Sequence, residues 1–329
     1  MLFLSIGVAL LWLATKDQNI DTMLDHFKEA NYLWVVVSIL LGVLSHLFRA
    51  VRWNLLINAA NYKTGTASTF YSVMLGYLAN LAVPRLGEIT RCGVLSKTKN
   101  IPFGLLVGTV ISERAFDLLT LILLIFVTII FQISLLGSFL DKYIFNPIAS
   151  KFNGISSIFI IIGFIIGAII VCYLIYRLSM PFIKRSKYFY KIKRLIVSFK
   201  SGIKTILKND RKWLFFLYTL IIWLLYFLML YVCFFTLKET SHLTAIDGLT
   251  IMVIGSLGIV APVPGGIGAY HFIVSTLLIE IYLIKPGEAA VSFAYITHST
   301  QMIMILFAGT ISYFLILTLR KRNSKEAAK

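Results

Sequence analysis

Two acids lie four residues apart inside an apolar run. They are Glu113 and Asp117 in ISERAFDLLTL, with Arg114 beside the first. On a helix, residues at i and i+4 share a face. Pro102 is well placed to start that helix. Running unbroken from 102 to 131, it would be about 45 Å long, longer than a hydrocarbon core of about 30 Å. The acidic face can therefore sit at membrane depth, where acids need cationic partners. Arg85, Arg91, Arg49 and Arg52 are the candidates. The alternative is an interfacial cluster that merely ends a span.

Two further stretches place polar chemistry beside helix breaks. PRLGEITR (84–91) follows an apolar run with no polar loop between. Pro84 stops the helix before it, and Gly87 makes the turn a hinge. Arg85, Glu88 and Arg91 are spaced i, i+3, i+6, which predicts one shared face on the next helical piece. A polar stripe on a membrane-dipping helix should face a cavity and not lipid. A shallow dip among headgroups is the other reading. In APVPGGIGAYH (261–271), Pro262 and Pro264 remove two donors and end a half-helix. Gly265, Gly266 and Gly268 permit a turn and close backbone approach. A second half-helix begins near Gly268, with His271 in its first turn, and its N-terminus suits an anion. A kink in one tilted span is the alternative. Arginines bordering such breaks suit phosphate through bidentate contacts.

The elements that must position these residues are membrane-grade. The chain of 329 residues is 59% hydrophobic and 14% charged, against about 25% charged in a soluble domain. The formal charge of +17 is concentrated. Residues 177–212 hold twelve Lys/Arg against Asp210 alone, the positive-inside pattern of loops beside spans and not a nucleic-acid surface. Cys92, Cys172 and Cys233 show no metal or disulfide spacing. Six apolar stretches are candidate spans: 2–14, 31–48, 115–136, 155–176, 213–236 and 289–319. With the basic 177–212 loop and tail inside, both termini are cytoplasmic and the acidic 15–30 loop is outside. The stretches 66–83 and 246–284 must then each dip in and return.

TASTFYSVMLGYLANLAVPRLGE (66–88) and TAIDGLTIMVIGSLGIVAPVPGGIGA (244–269) share an order: Thr-Ala, an apolar helix, a Gly, then a helix-breaking turn. Three spans separate them, so they enter from opposite faces. Inverted repeats with interrupted helices point to a transporter-like site near the bilayer midplane. The predicted fold is all-α: a polytopic membrane protein of about six spanning helices plus two inverted re-entrant helical hairpins. Residues 184–208 read as a basic amphipathic interfacial helix that gathers anionic leaflet lipid.

RAVRWNLL, GYLANLAVPRLGEITR, ISERAFDLLTL and APVPGGIGAYH, in that order across the chain, resemble the transmembrane region of lysylphosphatidylglycerol synthases, the flippase-like domain proteins. The resemblance covers nearly the whole chain and implies a single domain over 1–329 in the cell membrane. It implies movement of an aminoacylated phospholipid between leaflets, the lipid being made by a separate cytoplasmic domain. That synthase domain is expected to be missing, since Lys329 follows Arg320 by nine residues. His271 stands where the family often has an acid, a departure at the position expected to meet the headgroup.

Three functions remain open. The first is a non-catalytic, cofactor-free lipid translocase. Its substrate-binding residues would be Arg85, Glu88, Arg91, Glu113, Arg114, Asp117, Gly265, Gly266, Gly268 and His271, with Pro84, Gly87, Pro262 and Pro264 as hinges. The cargo would be a phospholipid or polyprenyl-phosphate lipid. No G-x-x-x-x-G-K-[ST] motif is present, so transport would be passive or ion-coupled. The second is an integral membrane transferase using Glu88, Glu113, Asp117 and His271 as acids and bases. The third is a scaffold for a separate lipid-modifying enzyme.

Overall fold

The computed structural model describes residues 2–133, 173, 177, 211–260 and 263–327. Two compact units are distinguished, one of residues 1–125 with 202–329 and one of residues 126–201. In the second unit, the described residues carry the C-terminal end of one long helix. All else below concerns the first.

The described residues form helices and no strand. In chain order these are α1 (Leu2–Thr15), α2 (Ile20–Glu29), α3 (Tyr32–Ala59), α4 (Thr66–Ala82), α5 (Gly87–Lys99), α6 (Phe103–Phe131), α7 (Lys212–Tyr231), α8 (Ala245–Val260), α9 (Ala269–Glu280) and α10 (Gly287–Ala327). A 3₁₀ turn, Val232–Thr236, extends α7. Local chemistry marks the helix starts. Asn19 accepts from Asp21 N–H and Thr22 N–H at the head of α2, and Asn31 accepts from Leu33 N–H at the head of α3. At α8, Asp247 accepts from Thr244 N–H while Asp247 N–H donates to Thr244 Oγ1, a reciprocal cap.

Four helical stretches are long and apolar enough to cross a membrane: Tyr32–Ala59, Phe103–Phe131, Lys212–Thr236 and Gly287–Thr318. They coincide with four of the six expected spans. The expected span 155–176 and the expected interfacial helix 184–208 lie outside the described residues. The stretch 2–14 does form a helix, but α1 has only 14 residues, short of the roughly 17–25 that a span needs. Two boundaries also move. The expectation ended a span at residue 48, where charge begins, yet α3 runs on to Ala59. It continues because Arg49 and Arg52 find partners inside the protein. Likewise α6 begins at Phe103 and carries Glu113 and Asp117 along its length.

The outward faces of the long helices are apolar, with Leu33, Leu40, Leu118, Leu123, Phe307 and Phe314 all exposed. The inward faces make two main cores. One joins α3, α4, α5 and α6 through Ala50, Trp53, Ile57, Val73, Cys92, Leu95 and Leu106. The other joins α7, α8, α9 and α10 through Phe234, Ile251, Val274, Leu278 and Phe293. Each core therefore includes one broken-helix pair, and α10 packs against both.

Those pairs fold as hairpins. In the first, α4 and α5 touch backbone to backbone. A Cβ on Gly87 would collide with Gly76 O and would lie 2.6 Å from Asn80 Nδ2. Gly87 N–H instead donates to Asn80 Oδ1 at 2.6 Å. In the second, a Cβ on Gly258 of α8 would lie 2.9 Å from Tyr270 Cα of α9. The bend passes through a 3₁₀ turn at Pro264–Gly266. It needs positive φ at Gly265, Gly266 and Gly268, which residues with a Cβ adopt only under strain. The two bends meet: a Cβ on Gly265 would lie 3.2 Å from Leu81 Cδ2, at the end of α4.

Candidate functional site

A cluster of five buried charges lies between α3, α5 and α6. Arg49 and Arg52 stand one turn apart on α3, and Glu113 and Asp117 one turn apart on α6, so two guanidiniums face two carboxylates. Arg49 Nη1 reaches Glu113 Oε1 at 2.6 Å and Asp117 Oδ2 at 3.0 Å. Arg52 Nη2 reaches Asp117 Oδ1 at 2.7 Å and Glu113 Oε1 at 3.2 Å. Arg91, from α5, brings Nη1 to 3.3 Å from Glu113 Oε2. Glu113 and Arg52 are wholly buried.

Neighbouring side chains hold this lattice. Tyr226 of α7 accepts from Arg49 Nε at 3.2 Å and from Nη2 at 2.9 Å. Thr219 Oγ1 of α7 accepts from Arg52 Nη1 at 2.9 Å. The Arg52 guanidinium lies 5.3 Å from the Phe215 ring and that of Arg91 lies 4.9 Å from the Trp53 ring, within cation–π reach. His46 packs on Tyr77 with ring centroids 4.4 Å apart.

The cluster is central along the helices. Glu113 and Asp117 are about 15 and 21 Å along the 29-residue α6, and Arg49 and Arg52 about 26 and 30 Å along the 28-residue α3. All four lie within about 10 Å of their helix midpoints. Charges taken out of water cost several kcal/mol each unless paired and hydrogen-bonded, which is why the partners crowd here. Three guanidiniums against two carboxylates leave one positive charge in excess.

Of the residues expected to act together, Arg91, Glu113 and Asp117 meet. Glu88 and Arg114 form a separate pair at 2.9 Å, on the half-exposed rim. Arg85 is elsewhere. It was expected to share a helix face with Glu88 and Arg91, but α5 begins only at Gly87. Arg85 sits in the turn at φ 65°, exposed, because Pro84 delays the restart of the helix. Pro262 lies outside the described residues.

The Pro-Gly turn builds a different constellation. His271 Nδ1 accepts from Gly268 N–H at 3.3 Å, capping α9. His298 of α10 has Nε2 2.9 Å from Gly265 O; a carbonyl only accepts, so Nε2 carries the proton. The two imidazole centroids are 4.7 Å apart, and Tyr270 donates to Thr297 Oγ1 at 3.2 Å. Among the described residues, no hydrogen bond or ion pair joins His271 to the arginine–carboxylate cluster. Nor does any group of three or more His, Cys, Asp or Glu among them suit a metal ion.

Arg49 and Arg52 entered the sequence analysis as candidate partners and, with Trp53, within RAVRWNLL; Tyr226, Thr219 and His298 were given no role there. The RAVRW spacing was a usable signal for the first two. Nothing in the sequence tied α7, a hundred residues on, to this site.

An apolar helical bundle with a paired ionic core is the architecture of a multi-pass membrane protein. The chain belongs to the lysylphosphatidylglycerol synthase TM region family, whose model matches residues 1–309. It is 24% identical over 320 residues to a UPF0104 membrane protein of Methanocaldococcus jannaschii, covering 94% of this chain and 92% of that one. A UPF0104 membrane protein of Pyrococcus horikoshii is 23% identical over 316 residues, covering 88% and 90%. No solved structure matches the chain.

Proposed function

We propose that this protein binds a lipid with a phosphate-bearing headgroup and moves it between leaflets, without catalysing a reaction on it. The observation that carries the reading is the five-charge cluster, with four of its charges near mid-length of two apolar helices and Arg91 placed one turn into the helix that follows a break. Ionisable groups at such depth mark ligand paths by default. Two broken hairpins whose bends meet at Leu81 and Gly265 supply the paired half-helices of alternating-access proteins. Both deep carboxylates are ion-paired to arginines, which favours a binding role for them over acid–base chemistry. In this reading the protein resides in the cell membrane with its C-terminus cytoplasmic, and the hairpins enter from opposite faces. A lipid-modifying enzyme would supply or consume the cargo.

The test is leaflet exchange in proteoliposomes carrying labelled phosphatidylglycerol, an aminoacylated lipid or a polyprenyl phosphate. Movement of one of these, lost in Arg91→Ala and retained in Glu239→Gln, is expected. Folded protein that moves none of them would overturn the reading.

A further inference from the structure

Hydrogen-bond accounting singles out one guanidinium. Arg49 is fully engaged: Nε and Nη2 donate to Tyr226, and Nη1 donates to Glu113 and Asp117. Arg52 engages Nη1 with Thr219 and Nη2 with both carboxylates, leaving only Nε. Arg91 differs. Its Nη1 faces Glu113, while Nε and Nη2 are both buried with no hydrogen-bond partner among the described residues. The residue is 3% exposed.

Those two nitrogens are not a random pair. Nε–H and Nη2–H lie on the same edge of the planar guanidinium and point in parallel, the fork that grips two oxygens of one phosphate. Trp53 covers a face of the group, and Glu113 holds the opposite corner, so the unpaired edge is fixed in direction. Leaving buried charged donors unsatisfied is costly, so this edge calls for an oxyanion.

Charge then narrows the oxyanion. The three guanidiniums and two carboxylates of the cluster sum to one positive charge in excess. A phosphodiester carries a single negative charge and would bring the site to neutrality. A phosphomonoester carries about −1.5 to −2 at pH 7 and would overshoot. A lysyl ester of a phosphodiester lipid is a net cation and would leave the excess uncancelled. We propose, building on the translocation reading above, that the headgroup recognised here is a monoanionic phosphodiester, gripped side-on by the Nε–Nη2 edge of Arg91. Exposed Arg85, in the turn that precedes α5, offers a first positive contact on the way in.

The experiment is native mass spectrometry of the detergent-solubilised full chain. Phosphatidylglycerol, phosphatidic acid and lysylphosphatidylglycerol of identical acyl chains would compete, with soluble glycerophosphoglycerol as a fourth arm. Phosphatidylglycerol should be retained over the other two lipids. Arg91→Lys keeps the charge and loses the fork, and should weaken that retention at least about tenfold. Asp117→Asn raises the excess to two and should shift preference toward phosphatidic acid. Wild-type preference for phosphatidic acid or the lysyl lipid would overturn the phosphodiester while leaving translocation standing. Equal binding of the soluble headgroup would overturn the lipid as its source. Should either variant misfold, the wild-type ranking decides alone. Binding with the proposed ranking but no leaflet exchange would instead sink the translocation reading.

Discussion

Arg49 makes more contacts than any other residue of the cluster, and its loss would be felt first. Arg49→Ala leaves Glu113 and Asp117 with reduced compensation and orphans the Tyr226 hydroxyl. Breaking a buried pair in this way destabilises by about 3–5 kcal/mol. Thermal unfolding in detergent should show a large drop in Tm for Arg49→Ala. Tyr226→Phe, which removes only an acceptor, should cost about 1–3 kcal/mol. A wild-type melting curve for Arg49→Ala would show that the ion lattice does not hold α3 to α6. By contrast, the Glu88–Arg114 pair is partly exposed, and such pairs contribute about 0–1 kcal/mol. Glu88→Gln should leave Tm nearly unchanged, so an effect of that variant on lipid movement would report function and not folding.

At the scale of elements, glycine contacts decide how the broken helices pack. A Cβ on Gly268 would run into Gly7 O of α1, and one on Gly7 would lie 2.7 Å from Val263 Cγ1. The short first helix therefore lies directly on the second bend, and Gly268 also needs φ 83°. Gly268→Ala should separate α1 from the turn and lower the yield of folded protein. Gly93→Ala is the matched control, because nothing lies within 4 Å of the Cβ it would add. If size-exclusion profiles of the two variants are alike, α1 does not clamp the bend. The first hairpin relies on its own glycine pair, Gly76 with Gly87, and on Asn80, which gives the Gly87 N–H an acceptor.

For the molecule as a whole, the hairpin reading makes a topological prediction. Both ends of the first hairpin should face the cytoplasm and both ends of the second the exterior. In a cysteine-free background, Lys63→Cys and Lys97→Cys should react with an impermeant maleimide only after the membrane is opened. Asp25→Cys, Ser241→Cys and Lys285→Cys should react in intact cells. Labelling of positions 63 and 97 from opposite sides would make α4–α5 a crossing element, and the inverted arrangement would fall.

Much of this was legible in the residues, for physical reasons. Apolar length marks the long helices because lipid tolerates few charges. Pro84 and Pro264 mark the breaks because proline cannot continue a helix through its own missing N–H. Glu113 and Asp117 declared a shared face because α-helical geometry fixes i and i+4 on one side. The partners were a different matter. Whether Arg85 or Arg49 would meet those acids depended on where α5 restarts and how α3 packs, and both are set by contacts between helices distant in sequence. Tyr226 and Thr219 reach the cluster only because α7 packs along α3. The same packing engages every nitrogen of Arg49 and leaves one edge of Arg91 without a hydrogen-bond partner among the described residues. Spacing along a chain can place a charge on a face; only the meeting of faces decides which charges cancel and which donor remains for a ligand.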